Sequence, residues 1–294
     1  MFRLGYNTNG LPHHRVPEAL QLLAELGYGG VAITPDAGLL DPMDLDPDDV
    51  ARVRLVAEEL GLDLVVETGA RYLLDPLHKH RPNLLDPEPS GRARRIDFLL
   101  RSVDLAADLG ARVVSLWAGA APDGSVGDGE RPGAGAEIHW SHLLDGLCEV
   151  LDRANAQGVA IAFEPEPGMF LERPSGYLEL LDRLGERRGD PTELGLALDV
   201  GHLVVTGDLP VGEVIRELGP HIATVHLDDA RRGDHVHRMF GEGELDLAET
   251  LGALLDTGFD GLASVELSRD GHRGPEAARE AMEHLEKALV DALP

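Results

Sequence analysis

The chain has 294 residues, 43% of them hydrophobic, which is enough for one sizeable core, and its formal net charge is −27. That acid excess weighs against nucleic acid and anionic lipid as partners, because binding a polyanion needs a basic footprint that displaces counterions. The single cysteine, Cys148, excludes an intrachain disulfide and a thiolate metal cluster, and its apolar neighbours Leu144, Leu147 and Leu151 mark it as a buried helix residue.

Met1 leads directly into a strand-like Phe2-Arg3-Leu4-Gly5-Tyr6. No signal-type segment follows, and nothing approaches the ~18 apolar residues of a membrane span, so a cytoplasmic protein away from membranes is expected.

The chain then repeats one unit, a helical pattern stopped by glycine and followed at once by a β-branched run. Leu26-Gly27 precedes Val31-Ala32-Ile33, Leu60-Gly61 precedes Leu64-Val65-Val66, and Leu109-Gly110 precedes Val113-Val114. Gln157-Gly158 before Ile161-Ala162-Phe163 and Thr257-Gly258 before Leu262-Ala263 continue the series. Glycine just past a helix end tolerates the left-handed backbone that terminates the helix. Strands are predicted near 3–7, 29–34, 62–68, 111–117, 159–164, 193–199, 221–227 and 261–267. Helices are predicted at about 16–26, 47–60, 92–109, 138–157, 174–187, 211–218, 246–257 and 275–291. Eight βα units imply a parallel sheet closed into a (β/α)8 TIM barrel, an α/β fold occupying residues 1–294 as one domain. An open doubly wound sheet is disfavoured, since Gly5-Tyr6-Asn7-Thr8-Asn9-Gly10 lacks the third glycine of a dinucleotide fingerprint.

Three connections exceed simple turns. Residues 69–91 hold the densest positive patch, with Arg71, His78, Lys79, His80 and Arg81. Residues 118–136, rich in Gly, Pro and Asp, are expected to be mobile, and residues 228–245 carry Arg231, Arg232, His235, His237, Arg238 and Gly241-Glu242-Gly243. All three follow strands, where barrels place their binding loops.

Chemistry concentrates at the ends of strands five to eight. They finish in Glu164, Asp199, His226 and Glu266. Charged groups at the ends of apolar strands repel one another without a cation between them. Three carboxylates and one imidazole make a hard donor set, which suits Mn²⁺ best, with Mg²⁺, Co²⁺ or Zn²⁺ as substitutes. Trp117 and Tyr6 end their own strands, where they form either an apolar wall for a bound substrate or core packing. Glu166, two residues beyond Glu164, reads as a loop residue.

Phe163-Glu164-Pro165, Leu198-Asp199-Val200-Gly201-His202, Val225-His226-Leu227, Val265-Glu266 and the glycine turn at 241–243 resemble the sugar isomerases and epimerases of the xylose-isomerase-like barrel superfamily. That resemblance spans almost the whole chain. It implies a metal-dependent isomerase or epimerase acting on a ketose or related polyol through α-proton abstraction and a metal-stabilised enediolate. Glu164, Asp199, His226 and Glu266 then hold one divalent ion, and Glu164 and Glu266 exchange protons with the substrate. His202 resembles the family histidine that hydrogen-bonds substrate, with orientation of Asp199 as its alternative role. The arginine that ketose epimerases carry after strand seven matches Arg231, Arg232 or Arg238, and Arg238 is taken as the substrate-binding candidate. His237, before the glycine turn, is a further substrate contact. Homo-oligomers are the usual state in such a family.

The same donor set also serves an inosose-type dehydratase or a keto-glycoside lyase, which share the enolate and differ in the leaving group. An abasic-site endonuclease of the same superfamily needs a histidine where this chain has Leu116-Trp117, and a polyanionic substrate opposes its charge. A non-catalytic sugar-binding barrel leaves the complete ligand set unexplained.

Overall fold

The computed structural model describes residues 1–128, 135–190 and 193–292. Eight of its strands form one closed parallel barrel: β1 (Arg3–Asn7), β2 (Gly30–Ile33), β3 (Asp63–Glu67), β4 (Val113–Leu116), β5 (Ala160–Phe163), β6 (Leu194–Asp199), β7 (Ile222–Leu227) and β10 (Leu262–Val265). Around the barrel they follow the order β1, β10, β7, β6, β5, β4, β3, β2. Register is set by pairs such as Tyr6 with Val265, Ser264 with His226, and Ala162 with Gly195. The predicted (β/α)8 fold is therefore observed, and each predicted strand is found within three residues at either end.

The helices are α1 (Val16–Glu25), α2 (Pro47–Leu60), α3 (Pro89–Leu109), α4 (Ala136–Gln157), α5 (Pro174–Arg188), α6 (Val200–Thr206), α7 (Val211–Leu218), α8 (Leu247–Thr257) and α9 (Gly274–Ala292). The glycine stops behave as the repeat requires. Gly110 and Gly158 cap α3 and α4 with φ of 73° and 70°, a conformation that disfavours any residue with a Cβ.

Two features lie outside the repeat. Asp199 ends β6 and immediately caps α6, its carboxylate accepting the backbone N–H of His202 at 2.9 Å. After β7 comes an antiparallel hairpin, β8 (Asp229–Arg231) and β9 (Asp234–Arg238), turning at Gly233 with φ 71°.

By its contacts the chain divides into two compact units, Met1–Ile33 with Arg52–Val65 and Ala197–Pro294, and Thr34–Ala51 with Val66–Leu196. The first buries Leu20, Leu23, Ile33, Val225, Leu251, Leu254, Val265 and Leu285. The second buries Phe98, Leu99, Val103, Val114, Leu143, Leu147, Ile161 and Tyr177. Each such side chain contributes roughly 1.5–3 kcal/mol of apolar burial. Cys148 on α4 is half-buried rather than fully enclosed.

Of the connection 118–136, residues 129–134 lie outside the described residues. The described part is anchored, because the Asp128 carboxylate accepts the backbone N–H groups of Glu172 and Arg173 at 2.8 and 2.7 Å. Among the described residues no helix is long and apolar enough to cross a membrane.

Candidate active site

Three neighbouring barrel strands bring chemistry to one point. Asp199 closes β6, His226 lies one residue before the end of β7, and Glu266 directly follows β10. One ligand atom from each lies within 4.8 Å of the other two. His226 Nδ1 is 3.1 Å from Glu266 Oε2 and 4.0 Å from Asp199 Oδ2. Asp199 and His226 are almost wholly buried, and Glu266 keeps 13% of its side chain exposed. Two carboxylates confined beside an imidazole, away from bulk water, form an arrangement that a divalent cation stabilises.

Glu266 is also held by Asn9, whose side-chain amide donates to Oε1 at 2.8 Å. Burial alone raises the pKa of Glu266, but His237, the hydrogen bond from His226 and the bond from Asn9 outweigh it. Its carboxyl stays well below the usual range and is ionised at neutral pH.

A second layer follows β7. Asp228 Oδ2 is 2.9 Å from His237 Nδ1, and both are shielded from solvent, at 2% and 16% side-chain exposure. Burial raises the Asp228 pKa. For His237 burial acts in the opposite sense, yet Asp228 and Glu266 raise its pKa well above the ordinary imidazole value. His202, on α6, places Nε2 at 3.7 Å from Asp199 Oδ2 and at 3.0 Å from Nε2 of His235. Gly201 is required here by space, since a Cβ at that position would stand 2.2 Å from Asp228 Oδ1.

Asp229 supports this layer from below. Its carboxylate accepts the N–H groups of Gly241, Gly243 and Leu245 at 2.8, 2.8 and 2.9 Å, which ties the glycine turn to the hairpin.

Glu164 follows β5, buried, with its backbone N–H on the Leu116 carbonyl at 2.8 Å. Trp117 is buried in the second unit, with the Arg95 guanidinium 4.5 Å above its ring and His80 edge-on at 5.3 Å. Tyr6 is fully buried and packs edge-on against Tyr28 at 5.5 Å, a core placement without exposed surface. Arg238 is ion-paired with Asp234 on its own strand, whereas Arg231 donates to the Glu242 carbonyl at 2.8 Å and steadies the turn. Glu166 is half-buried and exchanges backbone hydrogen bonds within its loop.

Asn9, Asp228 and His235 were not singled out as site residues from the sequence. A signal for two of them was present. Asp228 stands two residues beyond His226, and His235 alternates with His237, the spacing that places both on one face of a strand. Asn9 lies in a short turn after β1 and carries no comparable pattern.

A closed parallel barrel with carboxylates and an imidazole gathered at the ends of adjacent strands defines a (β/α)8 protein with a candidate metal-binding active site. The chain belongs to the xylose isomerase-like TIM barrel family, whose model matches residues 20–288. It is 25% identical over 272 residues to the L-ribulose-5-phosphate 3-epimerase UlaE of Shigella boydii, covering 88% of this chain and 84% of that protein. It is 28% identical over 161 residues to the uncharacterized protein MJ1311 of Methanocaldococcus jannaschii, a match spanning 51% of this chain and about half, 53%, of that one. The D-allulose 3-epimerase of Methylomonas sp. superposes with a TM-score of 0.74 at 17% identity over 98% of both chains, a likeness of fold.

Proposed function

We propose that this chain is a divalent-metal-dependent sugar isomerase or epimerase, acting on a ketose or related polyol by moving a proton at the carbon beside a carbonyl. The observation that carries the reading is the convergence of Asp199, His226 and Glu266 from three adjacent strands. The named relatives that act on sugars are 3-epimerases, which supports the same chemistry. Glu164, at the end of the neighbouring strand β5, is the fourth ligand in this reading. The oxygen-rich donor set favours Mn²⁺. A cation there supplies Lewis acidity toward a carbonyl oxygen.

The chain's own groups do the rest. Ionised Glu266 is suited to accept the α-proton, and Asn9 and His226 fix its two oxygens in place. Glu164 returns a proton, and the carbon it serves decides between epimerisation and isomerisation. His202 and His237 lie beside this centre as substrate contacts, and Asp228 orients His237. Trp117, Tyr6 and Arg238 take lesser parts, since each is already engaged by Arg95, Tyr28 or Asp234. The barrel works as one domain in the cytoplasm, as a homo-oligomer, without nucleic-acid partners.

The test is a panel of ketoses, inososes and keto-glycosides incubated with the Mn²⁺-loaded enzyme in deuterium oxide. Deuterium at the α-carbon of a recovered sugar, without loss of water, is the expected outcome. An unsaturated product identifies a dehydratase or lyase instead, and no exchange with any of them removes the proton-transfer reading.

A further inference from the structure

Arg95, on α3, is wholly buried, yet much of its hydrogen-bonding capacity is unused. A guanidinium carries several N–H donors. Nη2 gives one to the Thr68 carbonyl at 2.8 Å, while Nε and Nη1 meet no hydrogen-bond partner among the described residues. Burial pulls the pKa of Arg95 down to about 10, so it stays charged at neutral pH, and Glu67 and Glu166 act on it through space without a hydrogen bond. Its Cζ lies 4.5 Å from the ring centroid of Trp117 and 5.1 Å from that of Phe98. Those ring faces offset part of the cost of burying the charge, but they supply no oxygen to the open N–H groups. We propose that Arg95 anchors an oxyanion site, which takes the phosphate or carboxylate group of a small molecule.

Charge favours an anion over a water molecule here. Water satisfies open N–H groups but leaves a buried cation unbalanced. The connection after β3 adds positive charge beside Arg95. Burial pushes the pKa of His80 down to about 4, and Lys79, Arg95 and Arg71 push it the same way against the bond to Gly69. The ring is therefore neutral at neutral pH, and its Nδ1 donates to the Gly69 carbonyl at 2.7 Å, since a carbonyl only accepts. Three cations thus act on one uncharged ring, which stands edge-on to the same Trp117 at 5.3 Å. Glu67 and Glu166 oppose them, with Glu67 Oε2 engaged by the Thr34 hydroxyl at 2.7 Å. The local balance is positive in a chain with 53 acidic and 26 basic residues, a reversal of its overall charge.

The backbone beside Arg95 is strained and held. Ala70, Arg71 and His80 adopt φ of 55°, 25° and 62°, left-handed values that are costly for residues with a Cβ. The His80 N–H closes this connection on the Arg71 carbonyl at 2.6 Å, and Arg95 itself grips Thr68, two residues before Ala70. Strain of this kind persists where the surrounding structure enforces it, and it gathers at ligand clamps. Both open atoms of Arg95 are closed off from bulk water, which restricts the ligand to a small molecule and excludes a nucleic-acid backbone.

The experiment titrates the metal-stripped full chain with inorganic phosphate and, separately, with acetate, by calorimetry at an ionic strength fixed with chloride. Saturable binding of either anion at a single site is expected, and the anion that binds tells a phosphate ester from a carboxylate. Arg95→Met should weaken that binding by about ten- to a hundredfold, the worth of a hydrogen bond to a charged group. Far-UV circular dichroism checks that the variant is folded. If it is not, the double variant Arg71→Gln with Lys79→Gln serves, since Lys79 is exposed and Arg71 half-buried. Its affinity should fall several-fold, and the fall should shrink in high salt. Absence of saturable binding, or affinity unchanged in folded Arg95→Met or in the double variant, overturns the proposal. Neither metal nor sugar enters the titration, so the result is independent of the proposed isomerase or epimerase activity.

Discussion

Asp199 does two jobs with two oxygens. Oδ1 caps α6 through the His202 N–H, and Oδ2 faces His226 and His202. Asparagine is as good an N-cap as aspartate but lacks the charge a cation needs, so substitution separates the jobs. Asp199→Asn should leave urea stability within about 0.5 kcal/mol of wild type while abolishing turnover. Asp199→Ala should lose turnover and also about 1 kcal/mol of stability. If asparagine retains full turnover, the carboxylate is only a helix cap. The sequence marked Asp199 as a metal-ligand candidate and could not show that it also caps a helix. That takes the position of both oxygens, which depends on a strand and a helix meeting at one residue.

The elements that were legible in the sequence share a local cause. Each glycine stop followed by β-branched residues is a backbone instruction confined to a few positions, and its five copies marked β2, β3, β4, β5 and β10 together with the helices that precede them. α6 and the β8–β9 hairpin escaped because they lack that instruction. α6 has seven residues, three of them valine and one glycine, a composition of low helix propensity, and it persists through its cap and its burial. The hairpin strands are short and charged, and their order comes from Asp229, which gathers three backbone N–H groups of the glycine turn. Hydrogen bonds to a charged acceptor are worth about 1.5–3 kcal/mol, and donors left unpaired add a desolvation penalty. Asp229→Ala should therefore destabilise the hairpin and turn by roughly 3 kcal/mol. Hydrogen exchange should show lost protection confined to residues 229–245, with the barrel strands unchanged. Protection that persists across the turn would show that its order comes from elsewhere.

At the scale of the whole molecule the governing quantity is charge, 53 acidic against 26 basic residues. Many of the arginines are already paired at the surface, as in Arg153–Asp104, Arg183–Glu137 and Arg188–Asp152. Such exposed pairs contribute about 0–1 kcal/mol each and weaken in salt. The unpaired acid excess repels itself throughout the fold, and salt screens that repulsion over the same Debye length. The two effects oppose each other, and the imbalance decides the sign: a net charge of −27 outweighs a handful of surface pairs. The thermal midpoint of the metal-stripped protein should rise between about 0.02 and 0.5 M NaCl, by about 2–4 °C for each kcal/mol of relieved repulsion. The salt must be monovalent, because a divalent cation at Asp199, His226 and Glu266 would stabilise the fold by binding and mask the screening. A midpoint that falls across that range would mean that local ion pairs, not the global field, dominate the electrostatics of this barrel.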